Sequence, residues 1–451
     1  MFWNNKLTTP NSSSNDDPYT GGSNNLSTDV TQAAPTGWHR TFESLTYRNY
    51  QFLWAGNLLI NTADWLQILT VGWLMLRMTG GNALLTGTVV GIRSLPILLL
   101  GPWAGVLADR VNRRYLIACT QIGLAASAIV FAILVASTDF SSGYTSDSTL
   151  KTWHLFAYVI ITGILHTLMR PVRQALIPNV VPKSVLRNAM ALNATTRTGT
   201  RLLGPALGGV LIELLGGFSW NFFIEAGSYS CVIVLMFLMR TPYQTKSTAR
   251  EESIWNNMKE GLVYIWKNRV ILHLIVMTII PNFVFQPLVF IMPIFVTDAL
   301  GRSEGMGGLL LSVMGVGGVI STLVIASVGF QLGTGRTVIL SLVVGTTSIL
   351  LMAQIPWIPF TIAMFLIMGF AQTQFRVGNS TLVQSLVPDE LRGRVTSVYQ
   401  FDNGFTPVAV LITSAMVEWI DVITTMTIIS SISLCFSISL LLFAKLVKQL
   451  E

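Results

Sequence analysis

The sequence predicts an all-α membrane protein of twelve transmembrane helices, arranged as two pseudo-symmetric six-helix halves. Three observations carry this prediction. Of 451 residues, 51% are hydrophobic and 11% charged, against about 25% charged in a soluble domain, and mean hydropathy is +0.60. The apolar residues gather into twelve runs, each near the ~20 residues that cross a bilayer as a helix. The basic residues fall mostly on alternate connections, as in a chain that weaves through a membrane.

Taken in order, residues 1–37 are rich in Asn, Ser, Thr, Gly and Asp, and read as a disordered cytoplasmic tail. Trp38 to Tyr50 mixes aromatic and basic residues, as expected where a chain enters the interface. Spans follow near 51–77, 84–108, 115–137, 153–177, 190–215, 218–239, 270–298, 306–330, 337–354, 357–380, 394–417 and 421–444. The polar stretch 240–269 separates a first half, 38–239, from a second, 270–446. Within it Ile254, Met258, Leu262, Ile265 and Trp266 recur at helical spacing among Lys259, Glu260 and Lys267. That pattern predicts an amphipathic helix on the membrane surface, tethering the halves.

With the amino terminus inside, nineteen of the 28 Lys and Arg fall on cytoplasmic segments. Only Arg77, Lys151 and Arg302 fall outside, and six lie within spans. Both termini are therefore expected in the cytoplasm of a cell whose inner (cell) membrane holds the chain. A repeat supports the two halves: Arg170 to Pro182 lines up with Arg376 to Pro388, with arginine, leucine, valine and proline recurring at one offset. Duplicated six-span halves are how one class of carrier builds its central cavity.

Gly105-Val-Leu-Ala-Asp109-Arg110-Val-Asn-Arg113-Arg114 packs one acid and three arginines between two apolar runs. Such a turn belongs at the interface, where Arg113 and Arg114 face anionic headgroups. The fifth span carries Gly199-Thr-Arg201-Leu-Leu-Gly204-Pro205-Ala-Leu-Gly208-Gly209. Its glycines permit tight helix contact, and Pro205 removes a backbone hydrogen bond.

These two stretches resemble the second-to-third-helix signature and the fifth-helix antiporter motif of the major facilitator superfamily. The resemblance extends over Trp54 to Gln67, Pro171 to Pro178 and Glu260 to Asn268, and covers about 45 to 445. It is similar to the drug and siderophore exporters, the group of enterobactin exporters and transmembrane secretion effectors. The resemblance implies alternating access driven by proton exchange, with Asp109 bracing the loop near Gly393. Two positions depart from the pattern. Glu225 stands where a neutral polar residue is commoner, and Arg170 accompanies Arg173.

Several charged residues within spans could carry chemistry. Asp64 in the first span lies at a depth similar to Arg93 in the second. A carboxylate there costs a few kcal/mol unless it is paired or faces water. An ion pair favours its charged form and an apolar site its neutral form, so movement between the two would load and release a proton. A static ion pair that fixes packing is the competing reading. Glu225 could titrate, bind a cationic group, or simply meet Arg201 or a polar neighbour. Arg376 and Asp402 could form a gate or a structural bond. Gln67, Arg170, Arg173, Arg197 and Arg201 are further cavity candidates, and arginines there favour an anionic or polar substrate.

Enzyme chemistry finds little support. His39, His154, His166 and His273 are far apart in sequence, and Cys119, Cys231 and Cys435 have neither metal-ligand nor disulfide spacing. No Walker lysine or G-x-S-x-G elbow occurs. No cofactor, metal or nucleic acid is expected, and a monomer is. The function expected is export of a small organic molecule in exchange for protons. A lysolipid flippase, an uncoupled facilitator and a membrane-embedded sensor are the alternatives.

Overall fold

The computed structural model describes residues 42–111, 113–138, 149–240, 254–330, 333–400, 404–443 and 447. The 1–37 tail and Asp402 lie outside the described residues. Among the described residues every regular element is helical. A short 3-10 turn (Glu43–Thr46) leads into span 1 (Arg48–Thr79). Ten helices among the described residues are long and apolar enough to cross a membrane. Two more stretches occupy the remaining places. Span 5 (Leu186–Leu215) is one unbroken helix whose Arg187, Arg197 and Arg201 dilute its apolar content. Span 11 comes in two pieces, Asp389–Gln400 and Thr406–Trp419.

Span 2 is also broken, into Ala83–Ile92 and Leu95–Arg110. Pro96 has no N–H to offer the Ile92 carbonyl, so the ladder lapses there. Ser94 N–H bonds Gly91 O at 3.0 Å instead. The helix runs on through Gly105, Asp109 and Arg110, so the stretch expected as a short turn is helical as far as Arg110, and span 3 (Arg113–Ala136) starts three residues later. Spans 4 (Thr152–Val180) and 6 (Ser219–Leu238) complete the first half.

The expected linker helix is present as Ile254–Lys267 and packs on Asp389–Gln400, where Arg394 pairs with Glu260. Span 7 starts at Arg269 under an Asn268 cap, and wide π-turns at Pro281–Phe285 and Phe295–Ala299 interrupt it, next to the prolines at 281, 287 and 293. Spans 8 (Glu304–Val328), 9 (Thr334–Gln354), 10 (Ile358–Leu386) and 12 (Val422–Phe443) follow.

The halves meet along spans 5 with 8 and spans 2 with 11. At the first seam backbone touches backbone. A methyl group on Gly308 would lie 2.7 Å from Pro205 O and 3.0 Å from Gly209 Cα. Only glycine on both sides allows that approach. Dispersion between such flush surfaces, rather than exclusion of water, holds helices together in lipid.

Candidate functional site

The site is built where spans 1, 2, 4 and 6 converge. Asp64, midway along span 1, is paired with Arg93, which sits in the break of span 2. The break presses the Arg93 carbonyl against span 4, where a methyl group on Gly163 would meet it at 2.6 Å. His166, one turn further along span 4, brings Nε2 to 3.1 Å from Asp64 Oδ1. The same nitrogen is 3.2 Å from Tyr229 Oη. Tyr229 donates to Glu225 Oε1 at 2.9 Å, and Gln67 Nε2 donates to the same oxygen at 2.6 Å and to Tyr158 Oη at 2.9 Å. Tyr158 stacks on Phe131 with ring centroids 4.4 Å apart.

These contacts form one chain from Asp64, whose side chain is 17% exposed, to Glu225, which is fully buried. With a hydrogen on His166 Nε2, the ring donates to Asp64 while the Tyr229 oxygen, its own hydrogen given to Glu225, accepts. Glu225 Oε2 is buried without a partner, and the donors reaching Oε1 are neutral. Of the options for Glu225, the polar neighbour is met and Arg201 is not. Arg201 instead lies over the Trp65 ring at 5.0 Å. His166, set aside in the sequence because the histidines lie far apart without metal-ligand spacing, touches both Asp64 and the Tyr229 that donates to Glu225. The helix places it four residues before Arg170 and seven before Arg173, all on one face.

The arginines follow that face away from the acid pair. Arg173 donates to Asn61 Oδ1 at 3.3 Å and keeps Nε and Nη1 buried without a partner. Arg170 on span 4, Arg197 on span 5 and Arg376 on span 10 are exposed. The Arg376 charge acts on Arg170, Arg197 and Arg201. The proposed Arg376–Asp402 pair falls outside the described residues, with Asp402.

In the fifth-span motif, Gly204 faces Trp65 and Thr62 of span 1, Gly208 faces Leu69, and Gly209 faces span 8. Pro205 is buried in this seam, and Gly199 meets open space. Of the loop residues, Arg113 donates to Ala175 O at 3.2 Å and Arg114 to Phe237 O. These anchor span 3 to spans 4 and 6. The surroundings of Gly105, Asp109 and Arg110 lie outside the described residues.

One end of the bundle is tied shut between the halves by three carboxylates. Glu304 pairs with Arg77 at 2.9 Å. Glu213 accepts from Ser303 Oγ at 2.9 Å and Gly305 N–H at 3.0 Å. Glu418 accepts from Asn82 Nδ2 at 3.0 Å and from Ala83 N–H at 2.7 Å, at the start of span 2. This is the end remote from the linker helix. Among the described residues no group of His, Cys, Asp or Glu could hold a metal ion, and the three cysteines are free.

Helices long and apolar enough to cross a membrane, seamed by glycine and carrying charged side chains within their length, are the build of a multi-pass membrane protein. The chain belongs to the transmembrane secretion effector family of the major facilitator superfamily, whose model matches residues 39–450. It is 24% identical to the staphyloferrin A transporter of Staphylococcus aureus, over 86% of this chain and 94% of that one. It is 23% identical to the multidrug efflux pump Tap of Mycolicibacterium fortuitum, over 73% of this chain and 80% of that one. Among solved structures, the nucleoside transporter NupG superposes with a TM-score of 0.69 at 13% identity, covering 88% of this chain and 99% of that one. That likeness is one of fold.

Proposed function

We propose that the protein is a proton-coupled exporter, moving a small drug-like or siderophore-like organic molecule outward in exchange for protons. The observation that carries this reading is the chain Asp64–His166–Tyr229–Glu225, with Arg93 placed in a helix break beside its exposed end. A packing ion pair needs only Asp64 and Arg93. The histidine, tyrosine and second carboxylate add a continuous path of exchangeable hydrogens, and polar groups at this depth are costly unless used. Relatives named for siderophore transport and drug efflux support the cargo class.

The halves, read as 38–239 and 270–446, rock about the span 5–8 and 2–11 seams, with 240–269 as their tether. Both termini and the linker face the cytoplasm, so the tied end faces outward and the state is open to the inside. Arg93 holds the Asp64 carboxylate in this state. When a proton arrives, the pair loosens, the span 2 break relaxes, and the tied end is free to part. The carrier works as a monomer in the inner membrane.

The test is proton flux in proteoliposomes on addition of a panel of amphipathic drugs and siderophores. One compound should trigger proton movement with the parent, and Asp64→Asn should reduce it to the level of empty liposomes. Cargo movement that ignores both pH and the substitution would overturn coupling, and would promote an uncoupled facilitator or a lipid flippase. Ligand binding without any movement would favour a sensor.

A further inference from the structure

We infer that Arg170, Arg197 and Arg376 form a two-sided anion clamp, and that the cargo carries at least two negative groups, carboxylate or phosphate. The inference rests on the transporter reading of the central gap and names the substrate class that gap accepts.

The repeat places the clamp. Span 4 and span 10 are both 29 residues long, and Arg170 and Arg376 occupy the same position in each. One guanidinium therefore comes from each half, at equal depth. Both are exposed, as is Arg197. An arginine at this depth facing lipid is costly, so exposure here means the gap between the halves. Packing places spans 5 and 10 at one level. Gly318 of span 8 sits between Thr198 and Thr373. A methyl group on it would lie 3.6 Å from Thr198 Cγ2 and 2.9 Å from Thr373 Oγ1. Thr198 adjoins Arg197, and Thr373 lies one turn before Arg376, so spans 5 and 10 both meet span 8 at the level of their arginines.

Among the described residues the charge there is unbalanced. Asp64 is the acid that acts on Arg170 and Arg197, and Arg93 and His166 already occupy its Oδ1. Arg170, Arg197 and Arg376 carry like charges close enough to repel one another. A mobile anion relieves this, and guanidinium forks suit carboxylate and phosphate oxygens, two bonds at a time. Because one fork belongs to each half, a cargo with two anionic groups draws the halves together. A cation or a neutral compound leaves the repulsion in place.

The same oxyanion chemistry occurs in a soluble polycarboxylate and in a phospholipid headgroup. The experiment is thermal unfolding of the full chain in neutral detergent, titrated with citrate, its neutral trimethyl ester, or lysophosphatidylglycerol. Citrate should raise the melting temperature and its ester should not. Arg376→Gln should raise the melting temperature of the empty protein by removing repulsion. Arg376→Gln and Arg170→Gln should each weaken apparent citrate affinity about tenfold or more, the loss of one charged hydrogen-bond partner. Binding in detergent needs no proton gradient, so its failure is distinguishable from a failure of proton coupling. Equal stabilisation by citrate and its ester, unchanged citrate affinity in both arginine variants, or a less stable empty Arg376→Gln would each overturn it. Saturation by lysophosphatidylglycerol that citrate cannot displace would overturn the soluble cargo and assign the clamp to lipid.

Discussion

Spans 4 and 10 are copies of one helix with different contents. At the offset that pairs Arg170 with Arg376, Gly163 pairs with Gly369, His166 with Gln372, and Arg173 with Asn379. The glycines do the same job in both. Gly163 admits the Arg93 carbonyl of span 2, and Gly369 admits the Met314 carbonyl of span 8. The arginine is common too. The titratable residue is not: His166 reaches Asp64 and Tyr229, whereas Gln372 is buried with its Oε1 unpartnered. Asn379 has turned to packing, donating to Leu274 O at 3.2 Å. Duplication has kept the close approach of helices in both halves, while the hydrogen-bonded chain from Asp64 through His166 and Tyr229 to Glu225 is found in one. The difference teaches that backbone contact is what the repeat must preserve.

The comparison can be broken most directly at His166. His166→Gln makes span 4 like span 10, and we expect proton flux in proteoliposomes to vanish while the melting temperature changes little. Retained flux would make the two helices equivalent after all. Next in size are the glycines. Gly163→Leu and Gly369→Leu should each lower stability by about 1–3 kcal/mol or more through overpacking, read by thermal unfolding. A large effect in one half alone would sharpen the asymmetry into the backbone.

The smallest effect lies at Asp421, ahead of span 12. Its carboxylate accepts from Thr424 N–H at 2.8 Å, which holds it below the usual carboxylate range. A depressed folded value means that the cap stabilises above the unfolded titration point and is lost as pH falls through the folded one. Asp421→Asn should therefore remove that increment, lowering stability slightly at neutral pH and leaving it unchanged in acid, as read by thermal unfolding across pH.

Fold and site were not equally legible in the sequence. Apolar runs, basic connections and the Arg170/Arg376 repeat announce the two-half bundle, because a bilayer imposes those patterns on any chain that crosses it. Asp64 and Arg93 stood out as charges within apolar runs, and their pairing follows from similar depth in adjacent spans. Glu225 was visible as a residue but not as a partner of Gln67 and Tyr229, since that contact depends on how span 6 packs on span 1. His166 was hidden more deeply. Its acid lies on a helix about one hundred residues earlier, and its one sequence signal was sharing a helical face with Arg170 and Arg173. The break in span 2 could have been foreseen from Pro96, but the low apolar content of span 5 misleads in the other direction. That helix is shielded by span 1 and span 8 and by its own glycines.

The three carboxylate ties at the closed end have a consequence for how the carrier would measure concentration. Parting that end breaks the contacts of Glu213, Glu304 and Glu418 together. In the proposed cycle an empty carrier then dwells mostly with its port turned to the linker side. Cargo arriving from that side finds the competent form ready, whereas cargo from the far side meets a minority and binds with an affinity reduced by that fraction. The half-saturating concentrations on the two faces of the membrane would differ even with an identical binding site. Weakening Glu418 alone should bring them closer together.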